Sequence, residues 1–355
     1  MSVLDLARAD LRALAPYSSA RMEAKAADVM LNANESPWPP SDDDGLALNR
    51  YPEPQPVLLA ERLAELYGVR PGQVLVGRGS DEAIDLLVRG FCRPEIDAVA
   101  MCPPTFGMYA VCAGVQAAAI EKVPLTADFA VDEDALLARL PAATKVLFLC
   151  SPNNPTGGVV RLNQIDRIAA ALAERSLVIV DEAYIEFADA PSASSLIDRH
   201  DNLGVLRTLS KAWALAGARV GTLLANEQVV NFLRRIMAPY PLPSPCVAAA
   251  LAALDDEGQE RMRRRVVMLR SERARVAEAL LGLSGVRAVL RSQANFLAVE
   301  FDDAAGTYRR LLANGVVVRE LAGYPGLADY LRISIGTPQE NSRLIDVLRR
   351  RAEAA

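Results

Sequence analysis

The chain has 355 residues, 51% of them apolar, which is enough for a packed core and long enough to divide into two domains. A formal net charge of −5, with 23% charged residues, excludes the basic surface that a nucleic-acid binder needs. A single histidine, His200, excludes a histidine-rich metal site, and no metal is expected.

The five cysteines, at 92, 102, 112, 150 and 246, are odd in number and form no C-x-x-C pair, which points to a reducing compartment. Residues 1–5 carry no basic segment leading into an apolar one, and no apolar run approaches 18 residues. No membrane span is expected, and the expected location is the cytoplasm.

The first fifty residues read as an irregular arm, broken by Pro16, Pro37, Pro39 and Pro40, with an acidic turn at 42–45 and three more prolines at 52, 54 and 56. A helix is expected over 57–67, stopped by Gly68. From residue 74 short apolar runs alternate with helical stretches. Strands are expected at 74–76, 98–101, 119–123, 146–149, 178–180 and 205–206, and helices at 80–89 and 162–173. Ser80 reads as the cap of the first of these helices, with acids in its first turn. Apolar runs set between helices imply a mostly parallel sheet buried on both faces. One long helical tract is expected over 247–281. Strands near 295–299, 316–319 and 330–334 and a last helix after Thr337 complete an α+β region.

The expected fold class is therefore α/β: a mostly parallel central sheet flanked by helices, plus a smaller α+β domain. Residues 1–50 would form the arm and part of the small domain, 51–250 the large domain, and 251–355 the rest of the small domain with its linking helix. The basic stretch 261–275 reads as a solvated helix face, and His200, in a polar segment, as a surface loop residue.

In a parallel α/β sheet, ligands bind beyond the carboxyl ends of the strands, and the polar candidates fall there. After the run at 74–76 come Gly77, Gly79, Ser80 and Asp81, where a helix with free N–H groups could receive a phosphate; alone this also reads as an ordinary helix start. After 98–101 comes Phe106, which fits either a stack on a flat cofactor or a core aromatic. After 146–149 comes Ser151-Pro152-Asn153-Asn154-Pro155-Thr156-Gly157, too rich in turn residues for a plain connection. Asp181 ends the run at 177–180, with Tyr184 beyond. Lys211 follows Thr208 and Ser210, with Arg219 eight residues later. An amine, a carboxylate at a buried strand end, a polar Asn-Pro turn and a guanidinium are the set that a pyridoxal-phosphate enzyme needs. A carboxylate beside the pyridinium nitrogen keeps it protonated, and the protonated ring is the electron sink.

These residues resemble the fold-type I aminotransferases, and most closely the histidinol-phosphate aminotransferase family. Asn-Pro and Ser-Lys mark the superfamily. Ala33-Asn34-Glu35, Asn49-Arg50-Tyr51-Pro52 and the segment 181–187 are nearer to the narrower group, and matching segments run from about Pro16 to the last helix. The resemblance implies pyridoxal 5′-phosphate as cofactor and a homodimer with shared sites. It implies transfer of the amino group of L-histidinol phosphate to 2-oxoglutarate, giving imidazole-acetol phosphate and L-glutamate in a ping-pong cycle of histidine biosynthesis.

By the same resemblance Lys211 forms the Schiff base and shuttles the proton, Asp181 pairs with the ring nitrogen, and Asn154 and Tyr184 bond the phenolic oxygen. Gly79, Ser80, Asp81, Thr208, Ser210 and Arg219 belong to the phosphate end, and Tyr51 reaches the neighbouring subunit's phosphate. Phe106 stands where many members carry Tyr, which keeps the stacking and omits the hydroxyl. Arg332 is the substrate-anion arginine, with Arg319, Tyr17 and Asn34 as companions. An aromatic-amino-acid aminotransferase and a threonine-phosphate decarboxylase share this frame; a non-catalytic sensor of the cofactor is disfavoured by the intact lysine, aspartate and arginine.

Overall fold

The computed structural model describes residues 2–15, 17, 29–43 and 45–350. Pro16 and, within the acidic turn expected at 42–45, Asp44 lie outside the described residues. Helix α1 (Val57–Tyr67) buries Leu59, Leu63 and Tyr67 on one face, and Gly68 ends it in the left-handed conformation at φ 67°. Strand β1 (Val74–Arg78) then leads into α2 (Ser80–Phe91), β2 (Ala98–Met101), α3 (Met108–Val115) and β3 (Ala119–Lys122). Helix α4 (Glu133–Arg139), β4 (Thr144–Cys150), α5 (Leu162–Ala171), β5 (Leu177–Asp181), β6 (Leu203–Thr208), β7 (Val220–Ala225) and α6 (Glu227–Ile236) complete this half.

The seven strands form one sheet in the order β1-β7-β6-β5-β4-β2-β3. The pairs from β6 to β3 are parallel, and only β7 runs against its neighbours. The central strands are apolar on both faces because helices cover both: Val178 and Val180 join one core, Leu177 and Ile179 the other. Strand β7 escapes the sequence pattern because Gly221 and Thr222 interrupt its apolar run.

The tract expected as one helix over 247–281 is two, α7 (Ser244–Ala253) and α8 (Asp256–Leu281). The break falls where the Asp255 side chain accepts from the Gly258 N–H and starts a new helix. A second, antiparallel sheet follows, in the order β10-β11-β9-β8, from β8 (Val286–Val289), β9 (Phe296–Phe301), β10 (Arg319–Glu320) and β11 (Tyr330–Ser334). Helices α9 (Ala304–Ala313) and α10 (Pro338–Arg349) cover it. The strand expected at 316–319 shrinks to two residues, because the Val316 N–H closes onto the Leu311 carbonyl at the end of α9.

Within the arm expected over 1–50, residues 3–6 form a 3-10 turn and 9–12 a helical turn. Val3 and Leu6 pack in the same core as Ile84 of α2 and Phe232 of α6. His200, read as a surface residue, is buried, with Nε2 2.6 Å from Asp166 Oδ1. Among the described residues no helix is long and apolar enough to cross a membrane, and no group of side chains could hold a metal.

Candidate active site

The carboxyl ends of β4, β5 and β6 and the start of α2 converge on one cavity of about 130 Å3. Ten sequence-derived candidates line it: Ser80, Asp81, Phe106, Asn154, Asp181, Tyr184, Thr208, Ser210, Lys211 and Arg219. Gly79 stands immediately before the first of them.

One end of the cavity is built for an anion. Gly79 is the N-cap of α2, at φ 80° and ψ 170°, and no side chain caps the helix. Ser80, read as the cap, is instead the first helical residue. The exposed N–H groups carry the positive end of the helix dipole. Arg219, in the left-handed conformation at φ 55°, places Nη2 3.1 Å from Asp81 Oδ2. Two glycines permit the approach. A Cβ on Gly79 would lie 2.6 Å from Arg219 Nη2, and one on Gly221 would lie 2.3 Å from the Ser80 nitrogen. Thr208 and Ser210 add hydroxyls 2.9 Å apart, and the Ser210 N–H donates to Thr208 Oγ1 at 3.1 Å.

The other end is built around Asp181. Its carboxylate is buried, accepting from the Tyr109 hydroxyl at 2.7 Å and from the Ala183 N–H at 3.1 Å. Burial outweighs both bonds and pushes its pKa up to about 6. Tyr184 is buried beside it, edge-on to Phe296 at 5.2 Å, with its hydroxyl pKa raised by burial. Asn154 reaches the Tyr184 hydroxyl through Nδ2 at 3.5 Å, and its Oδ1 accepts from Arg332. That last bond joins the two sheets. Lys211 Nζ lies 5.6 Å from the Tyr184 ring centre. The lysine side chain is exposed as a whole, yet enough protein surrounds the amine that desolvation, with the Arg332 guanidinium next, lowers its pKa. A lowered pKa raises the share of neutral amine, the form that attacks a carbonyl.

Four candidates stand elsewhere. Tyr51 stacks on Tyr240 at 4.8 Å and, with Asn34, lines a separate hollow of about 390 Å3. Tyr17 is exposed in a cleft beside Arg234 and Arg235. Arg319 is exposed on β10, and its Cα pairs with that of Arg332 across β10–β11, so the two side chains share one face of the small sheet. Like charges directly opposite oppose folding unless an anion joins them.

Sequence reading missed Tyr109 and Cys150. The Cys150 Sγ lines the cavity and accepts from the Asn154 N–H at 3.4 Å. Tyr109 is fully buried, three residues after Phe106 and near the start of α3; an aromatic so close to the cavity's own aromatic was the available signal.

Residues 18–348 match the model of the aminotransferase class I and II family. The chain is 54% identical over 358 residues to the histidinol-phosphate aminotransferase of Xanthomonas axonopodis pv. citri, covering 100% of this chain and 99% of that protein. It is 52% identical to the enzyme of the same name from Stenotrophomonas maltophilia, covering 99% and 98%. Its fold is similar to the crystal structure of the histidinol-phosphate aminotransferase from Sinorhizobium meliloti in complex with pyridoxal-5′-phosphate. There the TM-score is 0.78 and the identity 27%, over 91% of this chain and 90% of that one.

Proposed function

The chain belongs to the class I and II aminotransferase family, and we infer that it transfers the amino group of L-histidinol phosphate to 2-oxoglutarate, a step of histidine biosynthesis. The observation that carries this reading is the meeting of Lys211, Asp181, Asn154 and Arg219 in one cavity. The enzyme depends on pyridoxal phosphate, and the donor set fits that group. An uncapped helix start with Arg219 suits its phosphate, a buried carboxylate pushed up to about 6 awaits a cation, and an amine of lowered pKa faces both. When bound, the cofactor supplies an electron sink for the substrate's Cα.

The chain's own residues supply the rest. The N–H groups at the start of α2, with Arg219, Ser210 and Thr208, would hold the phosphate and so position the ring. The ionised Asp181 holds a proton on the ring nitrogen, since opposite charges at close range favour each other. Asn154 Nδ2 and the Tyr184 hydroxyl, 3.5 Å apart, would bond the ring's phenolic oxygen and orient the ring. Phe106 offers one face to stack on. Lys211 Nζ would anchor the cofactor and, as the cavity's amine of lowered pKa, would take and later return the substrate Cα proton. Arg332 and Arg319, on one face of the small sheet, receive the substrate's anionic group; guanidinium forks suit both a phosphate and the carboxylates of glutamate. One cluster thus serves both halves of a ping-pong cycle.

Tyr51 and Asn34, beside their own open hollow, support a homodimer in which each chain lends these residues to its partner. The five unpaired cysteines support a cytoplasmic location. Residues 1–50, 51–250 and 251–355 remain the working division into arm, large and small domains, supported by the two separate sheets.

Steady-state kinetics with L-histidinol phosphate, phenylalanine and threonine phosphate side by side test the reading. L-Histidinol phosphate is expected to give the highest kcat/KM, by about ten-fold or more over phenylalanine, which lacks the phosphate and so forgoes a charged hydrogen bond worth about 1.5–3 kcal/mol. A higher kcat/KM for phenylalanine, or carbon dioxide released from threonine phosphate, would replace it with one of the two sister activities.

A further inference from the structure

We propose that Tyr109 is a positioning residue for the cofactor: its buried hydroxyl holds Asp181 ionised and aimed at the ring nitrogen. The assignment rests on the cofactor reading above. It stands on the Tyr109 hydroxyl, the one side-chain group that donates to the Asp181 carboxylate among the described residues.

Tyr109 is fully buried near the start of α3, underneath Phe106. Its ring lies flat on Phe148 of β4, with centroids 4.6 Å apart and planes 1° apart, and meets Phe106 edge-on at 5.6 Å. Two aromatic contacts therefore fix the ring, with its hydroxyl beside Asp181 and Cys150. The hydroxyl donates to Asp181 Oδ2 at 2.7 Å, a well-formed O–H···O bond. The Ala183 N–H takes Oδ1. Each carboxylate oxygen thus has one donor within the chain and further lone pairs for a cation in the cavity. The titratable groups that face Asp181 are Tyr109, Cys150, Tyr184, Asp81 and Lys211. Only Tyr109 among them donates to it. Burial and the Asp181 charge hold the Tyr109 proton in place, so the phenol stays a donor across the working range.

The same contacts link two functions within the four residues 106–109. Phe106 presents a face to the cofactor, and Tyr109 behind it steadies both Phe106 and Asp181.

Tyr109→Phe keeps the stack on Phe148 and removes only the donor. Apoprotein of wild type and variant is titrated with pyridoxal phosphate and followed by absorbance, and the pH midpoint of the bound cofactor's absorbance change is measured. The variant is expected to bind about ten-fold more weakly, the worth of one charged hydrogen bond. Its midpoint is expected to rise, by roughly half a unit or more, because a less firmly ionised Asp181 leaves the ring less cationic. Apoprotein melting gives a second readout that a merely structural role would not move. The melting difference between wild type and Tyr109→Phe should be larger at pH 8, where Asp181 is charged, than at pH 5. Equal affinity and an equal midpoint, or a melting difference independent of pH, overturn the proposal while leaving the function intact. A wild type that takes up no cofactor overturns both.

Discussion

Asp181 shows how one buried side chain couples folding to chemistry. Its pKa, about 6 in the free protein, lies above the ~3.9 of an unfolded chain. A raised carboxyl pKa means that the folded state binds the proton more tightly. The stability this confers is fully present below about pH 4 and is lost as pH rises through 6. Charging Asp181 in the cofactor-free protein therefore costs on the order of 2–3 kcal/mol. Asp181→Asn apoprotein should melt above wild type at pH 8, and the gap should close toward pH 4.5. A gap of constant size would show that Asp181 is not the titrating group. In the loaded enzyme the same change should cost turnover ~100-fold or more, comparable to losing one preorganised electrostatic partner. Asp181, Asn154 and Lys211 are legible in the sequence because each follows an apolar strand or a hydroxyl-rich turn within a few residues. The bond from Arg332 to Asn154 is not, since 178 positions separate them and only the packing of two sheets joins them.

The start of α2 works as a unit with β7 and the Arg219 turn. Gly221 sits so close to the Ser80 nitrogen that no side chain fits between them. Gly221→Ala should push the strand and helix apart, lowering stability by about 1–3 kcal/mol, as overpacking does elsewhere, and weakening phosphate binding. Thermal melting and cofactor titration would read both; an unchanged affinity would mean that this contact does not shape the phosphate end. Some elements announce themselves locally. Helix α1 ends at Gly68 because a left-handed residue is needed there, and α10 begins at Thr337 with a capping box. The break between α7 and α8 does not, because apolar spacing continues through Leu254 and only the Asp255 cap marks it. Direction in a sheet is likewise silent in sequence, which is why β7 could not be foreseen as the reversed strand.

At the scale of the whole molecule, the mostly parallel sheet and a smaller α+β region were readable from the alternation of apolar runs and helices, while the antiparallel pairing of the second sheet was not. The partition of the site among cavities was not, because Tyr51, Asn34 and Tyr17 belong to segments with little regular structure of their own. If Tyr51 serves the partner's site, two inactive chains should complement each other. Mixing Lys211→Ala with a Tyr51→Ala variant should restore activity, since a hybrid dimer holds one site with both residues intact. Hybrids that form and stay inactive would confine each site to one chain. The most direct test of the central claim is a single half-reaction followed by absorbance. Purified enzyme loaded with pyridoxal phosphate is mixed with L-histidinol phosphate and no acceptor, then with 2-oxoglutarate. The account predicts that the cofactor's visible band bleaches with one imidazole-acetol phosphate formed per site, and that 2-oxoglutarate restores the band with one L-glutamate formed. A band that L-histidinol phosphate leaves unchanged would contradict it.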